Sequence, residues 1–328
     1  MTAYRIWNNM AQDPSLSSAS GVRMKKSAFF FPYRLGDNEE QYAKMLEIER
    51  SGVHGFKHSS SLIEHYGVNP HYGCVDAYEL SAPIIDTDQA MMWLMSLVKA
   101  KGARFVTGTV VGDIFDQERE LRQRFEADVI VNATGLAGVT TAGDTSCYAI
   151  RGALLRVRND GTDFAKLDAA LSVSAAAGFE THTSNEIVFL VPRNDNVLLV
   201  GGISEPHQWA LDHTVRSPII QLMKARCEAF LPRLKHSQLD VEYPLAQGLR
   251  PFRKSNVRVE RETRKHGWSS GTGTTQDDDM GISSRVIHTY GHGGSGWSLS
   301  FGCAEDVSKL VVEILGRWRC AKADENVR

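Results

Sequence analysis

The chain has 328 residues, 42% of them apolar and 23% charged, with 37 basic side chains against 39 acidic ones. That is enough chain for one large or two modest domains with a sizeable core. The near-even charge balance excludes an electrostatic nucleic-acid binder, and no apolar run reaches the ~18 residues of a membrane span.

In chain order, residues 1–16 lack the charged-then-apolar layout of a secretory leader. Residues 38–50 are charged and rich in helix formers, which predicts an exposed helix. Residues 86–101 have an acidic start, an apolar stripe through Met91, Leu94, Met95 and Val98, and Gly102 just beyond, so both ends of a helix are marked. Residues 104–111 alternate as a strand would. Residues 128–132 form a short apolar run into Ala133-Thr134-Gly135. The stretch 86–135 therefore predicts helix, strand, short helix, strand, the rhythm of a layered α/β domain.

From residue 147 the rhythm changes. Strands are predicted at 150–157, 186–191, 197–200, 241–249 and 257–260, interrupted by a helix over 215–230. Segment 263–283 reads as a polar loop by composition. A strand over 285–290, a glycine cluster at 291–296 and a helix over 298–318 return to the α/β style. The expected architecture is thus α/β plus α+β: an α/β domain from 1–146 and 284–328, and an antiparallel-sheet domain from 147–283. The five cysteines (Cys74, Cys147, Cys227, Cys303, Cys320) are scattered, as free thiols in a cytoplasmic setting would be.

Gly291-His292-Gly293-Gly294-Ser295-Gly296 spells G-x-G-x-x-G between a strand and a helix. A dinucleotide-binding unit needs a further strand with an acidic residue about twenty positions on, and the residues after Gly296 do not supply one. Two readings remain. The glycines let the backbone approach a planar, negatively charged ring at a helix start, or they solve a steric problem in a tight turn. His54 and His58 are four apart, but Gly55 and the want of a third ligand argue against a metal site. Trp297 and Trp318 read as core.

Several segments together resemble the D-amino-acid oxidase family. They are His288-Thr289-Tyr290 with the glycine cluster and Gly302-Cys303-Ala304-Glu305; Gly248-Leu249-Arg250-Pro251-Phe252-Arg253 with Val257-Arg258-Val259-Glu260; and residues 128–135, ending Asn132-Ala133-Thr134-Gly135. The resemblance implies a FAD-binding domain and a substrate-binding domain. The implied chemistry is oxidation of a D-amino acid to an imino acid, with oxygen reduced to hydrogen peroxide. It implies that Arg250 pairs with the substrate carboxylate, which its planar fork suits, and that the Gly294 carbonyl accepts a hydrogen bond from the substrate amine. It places the cofactor against Asn132, Thr134, Gly135, Arg151, Gly152, Gly293, Gly294, Gly296 and Ser298. The family's substrate-binding tyrosine is Phe189 here, which removes one neutral hydrogen bond of ~1 kcal/mol.

The resemblance also implies an opening strand–G-x-G-x-x-G–helix–strand unit, and no such pattern precedes Met24. A chain lacking that pyrophosphate cradle is expected to bind FAD weakly or not at all, and its sheet edges would need cover. The alternative function is therefore a cofactor-free descendant, acting as a binding or partner protein or as a non-redox enzyme in the old amino-acid pocket. A small amino-acid substrate, no nucleic acid and no membrane are the expected partners, and a homodimer is compatible with them. The chain ends Asn326-Val327-Arg328, without the peroxisomal tripeptide.

Overall fold

A computed structural model describes residues 2–173, 187–266 and 282–325 of the chain, the side chains of 317–325 excepted. It is a mixed α/β protein of two compact units, one formed by Tyr4–Arg104 with Ile150–Leu249, the other by Met1–Ala3, Phe105–Ala149 and Arg250–Arg328. No described helix is long and apolar enough to cross a membrane.

The first unit is built on a large sheet. Its order is Leu245–Arg253 (as far as residue 249), Cys147–Arg158 (from residue 150), Val197–Gly201, Val188–Pro192, Ala170–Val173, Val22–Phe31, Asp76–Ile85, Lys57–His58, with Glu205–Pro206 also on Cys147–Arg158. From Cys147–Arg158 through to Lys57–His58 the pairings are antiparallel except that of Val22–Phe31 with Ala170–Val173, which is parallel. Helix Pro218–Phe230 lays Ile220, Met223, Cys227 and Phe230 on the sheet, against Phe30, Leu155, Leu190 and Leu198 in one apolar core. This grouping differs from the expected domain boundaries. The strands Val22–Phe31 and Asp76–Ile85 share ten register positions, and Val22–Phe31 then pairs with Ala170–Val173. Backbone pairing therefore draws the early residues into the sheet of the later ones.

The chain opens with helices Thr2–Gln12 and Pro14–Ser20. Asp13 caps the second by accepting the Ser15 and Leu16 N–H groups at 2.8 and 3.0 Å, Pro14 fits its first turn, and Gly21 closes it at φ +67°. The predicted helix at 86–101 is Thr87–Ala100, with Asp86 as cap. The strand expected at 104–111 does not form. Phe105, Val106 and Val111 are exposed, and among the described residues no strand runs beside them to complete a hydrogen-bonded ladder.

The second unit holds a three-stranded sheet. Val286–Tyr290 lies between Arg258–Arg261 (antiparallel) and Ile130–Asn132 (parallel). Helix Gly296–Glu325 follows the glycine cluster. The polar loop expected at 263–283 and the chain end at 326–328 fall largely outside the described residues, as does the Trp318 side chain.

Candidate functional site

Two turns leave the parallel strands of the second unit on the same side, because Ile130–Asn132 and Val286–Tyr290 run in the same direction. One is Asn132 to Gly135, the other the glycine cluster. Between them runs the segment Arg250 to Arg253, which touches both. A methyl group added at Gly135 would lie 3.8 Å from Pro251 Cβ. The Pro251 carbonyl accepts the Gly293 N–H at 2.8 Å.

The contact with the glycine cluster continues residue by residue. A methyl at Gly293 would meet the Phe252 ring at 2.9 Å, and one at Gly291 would meet Arg253 Cδ at 2.6 Å. Both glycines have positive φ, +55° and +82°, a conformation that strains any residue with a Cβ. Gly294 differs: its nearest neighbour would be Arg250 Cδ at 3.8 Å, and it is exposed, as are Gly296 and Ser298. The steric reading of the cluster thus applies at two of its glycines and not at the others. Gly291 and Gly293 serve close packing, while Gly294 leaves backbone open beside Arg250 and Gly296 leaves it open beside His292. Burial lowers the pKa of the Arg250 guanidinium, which still keeps its charge because arginine starts so high.

Arg253 is fixed from beneath. Asp144 takes its Nε at 2.8 Å and also accepts the Ser146 N–H and the Tyr290 hydroxyl. Burial alone would raise the pKa of Asp144, but these hydrogen bonds and Arg253 outweigh it and hold the carboxyl below its ordinary range.

The turn at Asn132 is held by polar contacts. The buried Asn132 carboxamide accepts the Thr134 N–H (3.2 Å) and hydroxyl (2.8 Å) through Oδ1, and its Nδ2 reaches Thr141 Oγ1 and His288 Nδ1, each at 3.3 Å. Thr134 itself is exposed and Gly135 has φ +62°. An exposed hydroxyl, open glycine backbone and the start of a 30-residue helix suit the polar edge of a flat, electron-accepting ring. Within this unit the residues present fit the ring end of FAD.

The remaining expected site residues lie in the first unit. Arg151 is 6% exposed. Its Nε donates to Glu205 at 2.8 Å, and Nη1 serves Asp212 and the Ala210 carbonyl. Those contacts raise its pKa, led by the bond to Glu205, so its charge is matched inside the first unit. Gly152 is buried in the same strand, and Phe189 is 40% exposed on Val188–Pro192, paired with Ser172 and Gly201. The structure does not place these three among the grouped residues of the second unit. His58 pairs with Asp76 at 2.9 Å and His54 lies near Ser81, both in the first unit. Glu262, Asp144 and Pro251 were not singled out by sequence. Pro251 stood inside the Arg250 motif, whereas nothing in sequence spacing announces the two carboxylates.

The family model described as FAD dependent oxidoreductase matches residues 6–310. The D-amino-acid oxidase of Rubrobacter xylanophilus is 30% identical over 243 residues, 73% of this chain and 60% of that protein. The D-amino-acid oxidase of Dictyostelium discoideum is 29% identical over 243 residues, 73% of this chain and 57% of that one. The chain thus spans about 60% of the length of these curated relatives. Among solved structures, glycine oxidase from Geobacillus kaustophilus aligns at a TM-score of 0.62 and 17% identity, covering 95% of this chain and 78% of that one. Iminodiacetate oxidase from Chelativorans aligns at 0.65 and 11%, covering 96% and 79%. At those identities the likeness is one of fold.

Proposed function

The chain belongs to the FAD dependent oxidoreductase family, and from that premise we propose that it oxidises a D-amino acid to its imino acid, with FAD as cofactor and oxygen as final acceptor. The observation that carries this reading is the seat made by residues 250–253. One short segment packs under both turns and sets Arg250 beside the open backbone of Gly294.

In this reading Arg250 holds the substrate carboxylate through a two-pronged, charge-assisted pair, strengthened by its burial. The Gly294 carbonyl accepts a hydrogen bond from the substrate amine. Two fixed points orient the α-carbon, and orientation is the protein's main contribution where a cofactor does the electron chemistry. Thr134, Gly135, Gly293, Gly296 and Ser298 are the residues that would hold the cofactor ring, with Asn132 behind Thr134. Bound FAD supplies acceptance of a hydride and its return to oxygen as hydrogen peroxide. The names of the relatives support a D-configured substrate. No role in this site is assigned to Arg151, Gly152 or Phe189.

The test has two parts. Purified protein titrated with FAD should show a bound-flavin spectrum that a D-amino acid bleaches without oxygen; protein that stays colourless with excess FAD overturns the reading. Calorimetry of a D-amino acid on FAD-loaded protein should then show roughly a 100-fold loss of affinity in Arg250→Ala and about tenfold in Arg250→Lys, since a charged bidentate pair is worth more than a point charge. Unchanged affinity in Arg250→Ala removes Arg250 from the site.

A further inference from the structure

We propose that His288, neutral and anchored by Glu262, is a positioning residue that fixes the Asn132 carboxamide in one orientation and thereby shapes the Thr134–Gly135 turn. The inference rests on the flavin reading only in what the turn is for, since the positioning itself is a property of the chain.

The argument is one of donors and acceptors. Asn132 Oδ1 must face Thr134, because the Thr134 N–H can only donate (3.2 Å). Nδ2 therefore faces His288 Nδ1 at 3.3 Å, and an amide nitrogen can only donate. Nδ1 of His288 must then be the acceptor, so the ring proton sits on Nε2. Nε2 points at Glu262 Oε2, 3.1 Å away. Each contact determines the next, and the neutral Nε2–H tautomer is the one form of the ring that satisfies all of them.

Glu262 is itself held. Arg264 reaches Oε2 with Nη2 at 2.7 Å and Oε1 with its backbone N–H at 2.9 Å, and the same guanidinium grips Asp113 with both prongs at 2.7 and 3.1 Å. His288 is 1% exposed. The groups around it are Arg258 and Glu260 on the antiparallel strand, with Glu260 directly opposite it, Glu262 just after that strand, Asn132 on the parallel strand, and the Tyr290 ring edge-on at 5.7 Å. Burial first, and Arg258 second, lower its pKa despite the two glutamates, which keeps the ring neutral near pH 7.

Protonation would put a second N–H on Nδ1, opposite the Asn132 amine. The carboxamide would have to turn over, and its amine would then oppose the Thr134 N–H. The turn cannot keep both its hydrogen bonds and a charged His288.

Hydrogen exchange of peptides covering 130–141 in the full chain tests this without the cofactor. At about pH 7.5, His288→Leu should speed exchange at Thr134 about tenfold, the worth of one buried polar contact. His288→Gln, whose carboxamide can both accept from Asn132 and donate to Glu262, should stay near wild type. In the wild type, lowering the pH until His288 takes up a proton, which its lowered pKa places on the acid side of an ordinary histidine, should loosen Thr134 beyond the intrinsic change in exchange rate. The FAD dissociation constant should rise about tenfold in the Leu variant and little in the Gln variant. Folded His288→Leu with unchanged Thr134 exchange overturns the proposal. So do equal effects from Leu and Gln, which would mark a packing role alone. If His288→Leu does not fold, the Gln variant and the wild-type pH series decide. Wild-type protein that binds no FAD sinks the flavin reading and leaves the exchange result to judge His288.

Discussion

The two turns that meet residues 250–253 reach the same kind of end, an open backbone, by opposite means. The turn at 291–296 is held by shape. Gly291 and Gly293 sit at positive φ with Arg253 and Phe252 pressed where side chains would be. The turn at 132–135 is held by directed hydrogen bonds that converge on one buried carboxamide. The first should therefore be sensitive to added volume and indifferent to pH, and the second the reverse.

The sharpest way to break that comparison is Gly293→Ala. Left-handed backbone costs an L-residue ~1–2 kcal/mol and overpacking a ring about 1–3 more, so a loss near 3 kcal/mol is expected in urea unfolding. Gly294→Ala, where the added methyl meets only Arg250 Cδ at an ordinary 3.8 Å and φ is not positive, should stay within about 0.5 kcal/mol. Equal losses would mean that the cluster is a uniformly tight loop, and the division of labour between its glycines would fail.

Next in size is the acid response of the other turn's support. Burial alone would raise the pKa of Glu262, but the hydrogen bonds from Arg264 and His288 outweigh it and bring it from 4.5 to about 2. A carboxyl with a folded-state value below its unfolded one stabilises the fold at pH above the unfolded value. That stability is lost as pH falls from about 4.5 toward 2, and amounts to ~3 kcal/mol when complete. Glu262→Gln should flatten this part of the stability–pH curve; a curve as steep as wild type between those limits would mean that other carboxylates carry the acid transition.

The same contrast explains what could be read from the chain itself. The glycine cluster was legible because steric demands leave their mark on residue type, whereas the Arg250 motif was legible only through the family resemblance. Only glycine tolerates positions such as 291 and 293, and the packed partners follow in one short run. The helix at Thr87–Ala100 was legible for a similar reason, since Asp86 and Gly102 punctuate it. The network behind Asn132 was not legible. Glu262 and His288 lie 26 positions apart, Asn132 is 156 from His288, and common polar residues meet there only through strand register. The placement of Val22–Phe31 was lost for the same reason. Its partners at Asp76–Ile85 and Ala170–Val173 are long-range, and its apolar content alone does not say which sheet it joins. Residues 104–111 show the converse failure, an alternating pattern that fits a strand but has no described ladder beside it.

The smallest effect separates the two ends of the Asn132 carboxamide. Thr141 accepts from Asn132 Nδ2 at 3.3 Å and donates to the Ala137 carbonyl at 2.9 Å. Thr141→Val keeps the shape and removes only the hydroxyl. Asn132 Nδ2 would still donate to His288, and the Thr134 hydroxyl would still reach Asn132 Oδ1, so no donor in the turn is orphaned. A loss of about 1 kcal/mol is expected, with Thr134 exchange close to wild type. If Thr141→Val instead loosens Thr134 as much as His288→Leu, the carboxamide is oriented from the threonine side. The turn would then be a local motif of residues 132–141, and the pH sensitivity that distinguishes it from the glycine cluster should vanish with it.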